Sequence, residues 1–347
     1  MAWKFALGFG VSASFIWFVL RGVDPAEVIA QVSQANLWYF WASVFVGTAG
    51  YFIRALRWKV LLHPIKPDTA LRSRFAGISI GFAINNLIPA RVGELARAFA
   101  LTRVEPVTLS GSLGSLVVER FLDSIVLTTL FLVPLMLPSF PDAQGLLGGG
   151  GAFGTALVWP FVLLVVLFMG LLALLIFPGP LVRLAERLLV RLPGGWGPRL
   201  SGGLESFLQA LKVLRDPGLL SKAVVWSYAF WLWHGFSFWL GFKAFGIDLG
   251  FAAAVFTEAV VGFTVAIPAA PGFFGTFQLG ADLALSGVYG VAEPSALAFA
   301  FGYHLGGFFP ITIIGLYYAW IIGFSVTDLG GGEGNGLAPA SEVTCDD

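Results

Sequence analysis

Apolar runs of about 18 residues or more, long enough to cross a bilayer, recur along this chain of 347 residues. One of them, 111–137, carries three charged residues, Glu119, Arg120 and Asp123. A lipid-facing ionisable group at mid-bilayer costs about 2.5–3.5 kcal/mol on insertion scales. Three in one span are therefore expected to face the protein interior and one another. Only 12% of the residues are charged and 57% are hydrophobic, against about 25% charged in a soluble domain. This predicts an all-α, polytopic integral membrane protein, because barrel strands would alternate in polarity.

Charge and cysteine usage exclude several functions. Lys and Arg (20) balance Asp and Glu (20), so there is no basic field for nucleic acid. Cys345 is the only cysteine, which excludes an intrachain disulfide and a cysteine-based zinc site. His63, His234 and His304 lack metal-motif spacing. No metal or cofactor is expected, and no GxxxxGK[ST] nucleotide loop occurs.

Six full spans are expected, at about 3–20, 37–55, 111–137, 153–177, 223–245 and 295–322. The first lacks a signal-peptide cleavage pattern and reads as retained. Segment 24–36 reads as an amphipathic connector. Residues 1–322 read as one transmembrane domain with halves at about 37–137 and 223–322, and 323–347 as a disordered acidic tail. Lys and Arg concentrate in 54–74 and in the amphipathic segment 178–222, and are absent from 138–152. The first two regions are therefore expected on the cytoplasmic side, together with both termini. Two further stretches, 75–90 and 251–290, are broken by Pro, Gly and polar residues. They share Gly-Phe followed by Ile-Pro-Ala-x-x-Gly, at Gly81 and Ile88 in one and at Gly262 and Ile267 in the other. The orientation count makes them opposed re-entrant hairpins in an inverted repeat.

The first break places Asn85, Asn86, Arg91, Glu94 and Arg97 around Pro89 and Gly93. A helix restarting there would offer free N–H groups and two cationic donors to a phosphate. Glu94 is three residues from each arginine and placed to hold both. The plainer account is a helix end with snorkelling arginines. Glu119 and Asp123 share a helix face, and Arg120 can bend toward either. They read as an internal relay, as counter-charges for Arg91 or Arg97, or as a structural ion-pair cluster. Pro268, Pro271, Gly272 and Gly275 form the second break, flanked by Glu258 and Asp282, each a proton or ion site or an interfacial group. Arg54, Arg57 and Trp58 read best as interfacial anchors, with lipid-phosphate contact as the alternative. His234 and His304 read as hydrogen-bonded structural residues. Gln278 and His304 complete the substrate-binding set.

The motifs RALRW (54–58), NNLIPARVGELARAFAL (85–101), VVERFLD (117–123) and IPAAPGFFGTFQ (267–278) occur in this order. Together they resemble the lysylphosphatidylglycerol synthase transmembrane-region family, also called flippase-like or UPF0104 proteins, over about 3–322. The resemblance implies a region that moves lipids between leaflets, here without the soluble aminoacyl-transferase domain to which related regions are fused. It implies that Arg91, Glu94, Arg97, Glu119, Arg120 and Asp123 form a central polar set. Members often carry Glu where this chain has Gln278. The expected function is translocation of an anionic phospholipid or polyprenyl-phosphate-linked lipid in a bacterial or archaeal inner membrane. The expected partners are membrane lipids, with a separate lipid-modifying synthase or glycosyltransferase as a further one. The alternatives are a membrane-embedded lipid-phosphate or glycosyl transferase with Glu119 or Asp123 as base, and a scaffold for a partner enzyme.

Overall fold

The computed structural model describes residues 24–88, 91–141, 206–267 and 271–325, with Ser14, Ile16, Trp17, Leu20 and Arg21. The span expected at 153–177 lies outside them, as do most of 3–20, Arg183, Arg187 and Arg191 of the basic segment, and the tail from 326. Pro89 and Pro268 also lie outside. Everything described is helix, turn or irregular chain.

The elements are α1 (Pro25–Ser33), α2 (Leu37–Leu62), α3 (Leu71–Leu87), α4 (Gly93–Val104) and α5 (Leu109–Leu135), then a 3-10 turn (Leu211–Leu214). After it come α6 (Pro217–Ala244), α7 (Phe251–Thr264), a second 3-10 turn (Pro271–Phe273), α8 (Thr276–Leu285) and α9 (Glu293–Ile321). Side-chain caps start three of the four long helices. Asn36 accepts from Trp38 N, Thr108 from Gly111 N and Asp216 from Gly218 N, with Pro217 in the first turn of α6. α2, α5, α6 and α9 have 26, 27, 28 and 29 residues. At a 1.5 Å rise each exceeds the roughly 30 Å of a hydrocarbon core. α3, α4, α7 and α8 have 17, 12, 14 and 10 residues and are individually too short. Among the described residues, one helix, Glu293–Ile321, is by both length and composition apolar enough to cross a membrane. α5 misses that measure because every 18-residue stretch of it contains Glu119, Arg120 and Asp123.

The breaks have local causes. Ile88 is extended (φ −120°, ψ 130°), the conformation favoured for a residue before proline. Gly272 (φ 68°) and Gly275 (φ 87°) adopt left-handed backbone between α7 and α8. Across each break the chain folds back on itself. A Cβ on Gly93 would collide with the Gly81 carbonyl, and one on Gly280 with Thr264 and Val261. Glycine at these positions lets α3 meet α4, and α7 meet α8, at backbone distance.

α2 and α6 run antiparallel along their length. Asn36 N donates to the Ala244 carbonyl (2.8 Å), Ser237 Oγ to the Ser43 carbonyl (2.7 Å) and Trp233 Nε1 to the Val46 carbonyl (2.7 Å). Among α2–α9 the remaining packings come in matched pairs. α3 packs on α9 as α7 packs on α5. α2 meets α3 as α6 meets α7, and α4 meets α5 as α8 meets α9. α2 touches α5 and α9, while α6 touches α9 and α5. Exchanging α2–α5 for α6–α9 leaves this set of contacts unchanged.

Polarity is inverted relative to a soluble domain. Phe45, Val225, Ile313 and Trp320 on the long helices are exposed, whereas Arg57, Arg97, Glu119 and Asp123 are buried. The outer surface is apolar and the strongest charges are inside.

Candidate functional site

The interior charges converge from three helices. Arg54 and Arg57 come from α2, Arg97 from α4, and Glu119, Arg120 and Asp123 from α5. Glu119 is fully buried and receives Arg54 Nη2 (2.8 Å), Arg97 Nη1 (2.8 Å) and Arg120 Nη2 (2.6 Å) on Oε1, and Arg97 Nη2 (2.9 Å) on Oε2. Arg57 Nη2 lies 3.2 Å from Glu119, and its Nη1 donates to Asp123. Asp123 also accepts from Trp231 Nε1 (2.8 Å) on α6 and pairs with Arg120 Nη2 (3.2 Å). The guanidinium of Arg97 sits 3.9 Å from the ring centroid of Trp58, whose Nε1 donates to Ser115 Oγ.

This corrects the expectation that Arg54, Arg57 and Trp58 are interfacial anchors. All three are buried, because α2 runs past the carboxylates of α5 and the pairing outweighs exposure to the interface. The legible signal was spacing: positions 54, 57 and 58 share a helix face, as 119 and 123 do. Arg97 is also reassigned, since Glu119 engages it from both oxygens and it does not reach the cavity. Glu94 holds neither arginine as expected. Its nearest cation is Arg120 Nε at 3.9 Å. At the N-terminus of α4 one N–H is taken, since Gly93 N donates to Asn85 Oδ1 (2.8 Å).

Beside this network lies a cavity of about 380 Å³ to which each of the helices α2–α9 contributes lining. Its charged end is formed by Arg54, Arg91, Arg120 and Glu94. The Arg120 side chain is 45% exposed while its Glu119 partner is sealed, so Arg120 presents the network's charge to the cavity. Arg91 has left-handed backbone (φ 54°), as does Phe273 (φ 62°) of the second break. Such conformations cost non-glycine residues on the order of 1–3 kcal/mol and persist where surrounding contacts impose them. The Arg91 guanidinium stacks 5.2 Å from the Phe273 centroid, and its Nη1 donates to the Ala266 carbonyl (3.0 Å). Arg91 thus ties the two breaks together at the cavity edge.

Aromatic side chains, among them Phe82, Phe230, Phe238, Phe277 and Phe308, form most of the remaining wall. Asn86 lines it and donates to Thr312 Oγ1 (2.7 Å). His234 Nδ1 lies 2.7 Å from Glu258 Oε1, a pairing that reading the two residues separately missed. Gln278 Oε1 accepts from Gly275 N (2.8 Å), which turns its amide NH2 toward His304 Nδ1 (3.1 Å). Asp282 does not line the cavity. The aromatic run 226–242 is divided. Phe230, Phe238 and Phe242 are buried and Trp233 and Phe236 are exposed.

Five arginines (54, 57, 91, 97, 120) face three carboxylates (94, 119, 123) in and around one end of the cavity, a formal excess of two positive charges. In a low-dielectric interior such an excess favours an anion.

No solved structure matches the chain. It is 22% identical over 330 residues to a UPF0104 membrane protein of Methanothermobacter thermautotrophicus, covering 90% of this chain and 91% of that protein. A second UPF0104 membrane protein of the same organism is 22% identical over 321 residues, covering 88% and 92%. Residues 5–315 match the family described as the lysylphosphatidylglycerol synthase TM region. With its buried arginine–carboxylate network and apolar exterior, the chain belongs to this family of membrane proteins.

Proposed function

We propose that the protein is a lipid translocase that moves an anionic phospholipid or polyprenyl-phosphate-linked lipid between leaflets. The observation carrying this reading is the formal excess of two positive charges gathered at one end of a largely aromatic cavity, which Arg91 and Arg120 line. A lipid phosphate would sit against these two guanidiniums, whose N–H forks match phosphate oxygens. Glu94, close to Arg120, would compete with the phosphate and favour its release. Arg54, Arg57, Arg97, Glu119 and Asp123 would hold this end rigid.

The matched helix packings support an inverted repeat in which α3–α4 and α7–α8 are re-entrant hairpins entering from opposite faces. In that arrangement α2, α5, α6 and α9 span the membrane, as would 3–20 and 153–177, with both termini cytoplasmic in an inner membrane. Rocking of one half against the other would expose the cavity to each leaflet in turn. The transferase alternative is weakened by the state of its proposed bases. Glu119 is enclosed by arginines, and Asp123 is buried between Arg57 and Trp231.

The test is lipid movement in proteoliposomes, using headgroup-labelled phosphatidylglycerol and a polyprenyl phosphate. Folded wild type is expected to move at least one, and Arg120→Ala and Arg91→Ala to lose that movement by tenfold or more. Folded wild type that moves neither lipid would overturn the reading.

A further inference from the structure

The cavity has a second chemically distinct feature, on the wall formed by α6 and α7. Glu258 is 2% exposed. Its Oε1 meets His234 Nδ1, and its Oε2 is buried with no hydrogen-bond partner. A buried carboxylate whose only ion-pair partner among the described residues is a histidine is poorly compensated. His234 is partly exposed and lines the cavity, so protons can reach the pair from there.

The groups facing this pair do not neutralise it. α2 presents Tyr51 and Arg54, and the Arg54 guanidinium donates to Glu119. α5 presents Arg120, which is likewise paired with Glu119, while Asp123 is held by Arg57. α9 presents Tyr303, whose hydroxyl is bonded to Ser237 (2.8 Å), and His304. His304 cannot take a proton on Nδ1 while that atom accepts from the Gln278 amide, whose orientation is set by Gly275 N. α8 offers only Gln278 here, since its Asp282 lies near Ser286 and Glu293. Across the cavity, Arg91 bonds the Ala266 carbonyl and Glu94 lies near Arg120.

We propose that His234 and Glu258 form a proton-binding site coupled to anion occupancy at Arg91 and Arg120. The inference rests on the anionic-lipid reading and deepens it. The pair can be net negative, neutral or net positive according to the protons it holds. An anion in the same cavity favours the states with more protons, so binding it draws a proton onto the pair. Linkage requires the reverse as well: protonation tightens anion binding. Lipid affinity then rises as pH falls, by up to about tenfold per pH unit for one coupled proton.

The experiment is calorimetric titration of the purified full chain in detergent with a short-chain phosphatidylglycerol. It is done at several pH values and in two buffers of different ionisation enthalpy, which reads protons taken up per lipid bound. Wild type is expected to take up a measurable fraction of a proton. Glu258→Gln, whose amide mimics the protonated acid, is expected to bind lipid with pH-independent affinity and no uptake. Arg120→Ala is expected to lose lipid binding. Lipid binding by wild type without uptake, or uptake unchanged in Glu258→Gln, would overturn the inference and leave the translocase reading standing. Absence of lipid binding by wild type would remove both. If Glu258→Gln does not fold, the wild-type buffer comparison and a shifted pH dependence in His234→Gln carry the same decision.

Discussion

Where α2, α4 and α5 meet, the interior is charged: four arginines close on Glu119 and Asp123. Where their packing counterparts α6, α8 and α9 meet, it is aromatic. Phe238, Phe277, Phe299 and Tyr303 lie within 4.6–6.1 Å of one another between centroids for the closest pairs, with Gln278 and His304 alongside. The helix arrangement repeats but its filling does not. Either filling can satisfy the same backbone geometry, one by ion pairing and one by close packing. Only the charged filling leaves surplus charge facing the cavity. The comparison separates what holds the fold from what sets its chemistry.

The sharpest way to break that comparison is to remove one member from each side. Glu119→Ala leaves several buried arginines without their shared partner and is expected to cost about 3–5 kcal/mol, seen as loss of monodisperse folded protein. Phe299→Ala, at a buried ring that does not line the lipid cavity, opens a void at about 3 kcal/mol or more. Its folded fraction should keep anionic-lipid binding, whereas rescued Glu119→Ala should not. Binding lost equally in both would erase the distinction between charged and aromatic halves.

A smaller effect tests whether the two hairpins are equivalent. Gly93→Ala and Gly280→Ala each push a Cβ into backbone or side-chain atoms of the facing helix. Each is expected to cost about 1–3 kcal/mol in thermal unfolding. A cost at Gly93 alone would mean that the second hairpin does not depend on the same close approach.

The smallest effect concerns two lysine–carboxylate pairs. Burial would raise Glu105, but hydrogen bonds from Lys66 Nζ (2.7 Å) and Ala70 N (2.8 Å) hold it below the usual carboxylate range. Its contribution is therefore full above the unfolded carboxylate value and is lost as pH falls through the folded one. Lys66 is raised by its hydrogen bond to Glu105, so its contribution is present below the unfolded lysine value and is lost as pH rises through the folded one. Lys66→Met should flatten the pH dependence of the unfolding midpoint on both sides of neutrality. In the second half, Lys243→Met should change stability at neutral pH by less than about 1 kcal/mol, because Asp248, its partner at 2.9 Å, is almost fully exposed.

Much of this was legible from residues 85–97 and 267–278, because Pro and Gly act on the backbone where they stand. Glu119, Arg120 and Asp123 also declared themselves interior by the cost of placing charge in lipid. Their partners were harder to read. Arg54 and Arg57 look like ordinary anchors after an apolar run, and only the passage of α2 beside α5 makes them buried. His234 and Glu258 were each noticed, but nothing local joins residues on two different helices.

The sequence by itself determined that the chain is helical, apolar on its outside, and interrupted at two related points. Those properties follow from hydropathy, backbone restriction and desolvation cost, which act residue by residue. The tertiary structure alone decided which arginine each carboxylate holds, which cations remain facing the cavity, and that a histidine and a glutamate meet in its wall. Those outcomes depend on side chains meeting across helices, with Arg54 and Glu119 separated by 65 positions in sequence and His234 and Glu258 by 24. Packing brings them together where no local pattern could.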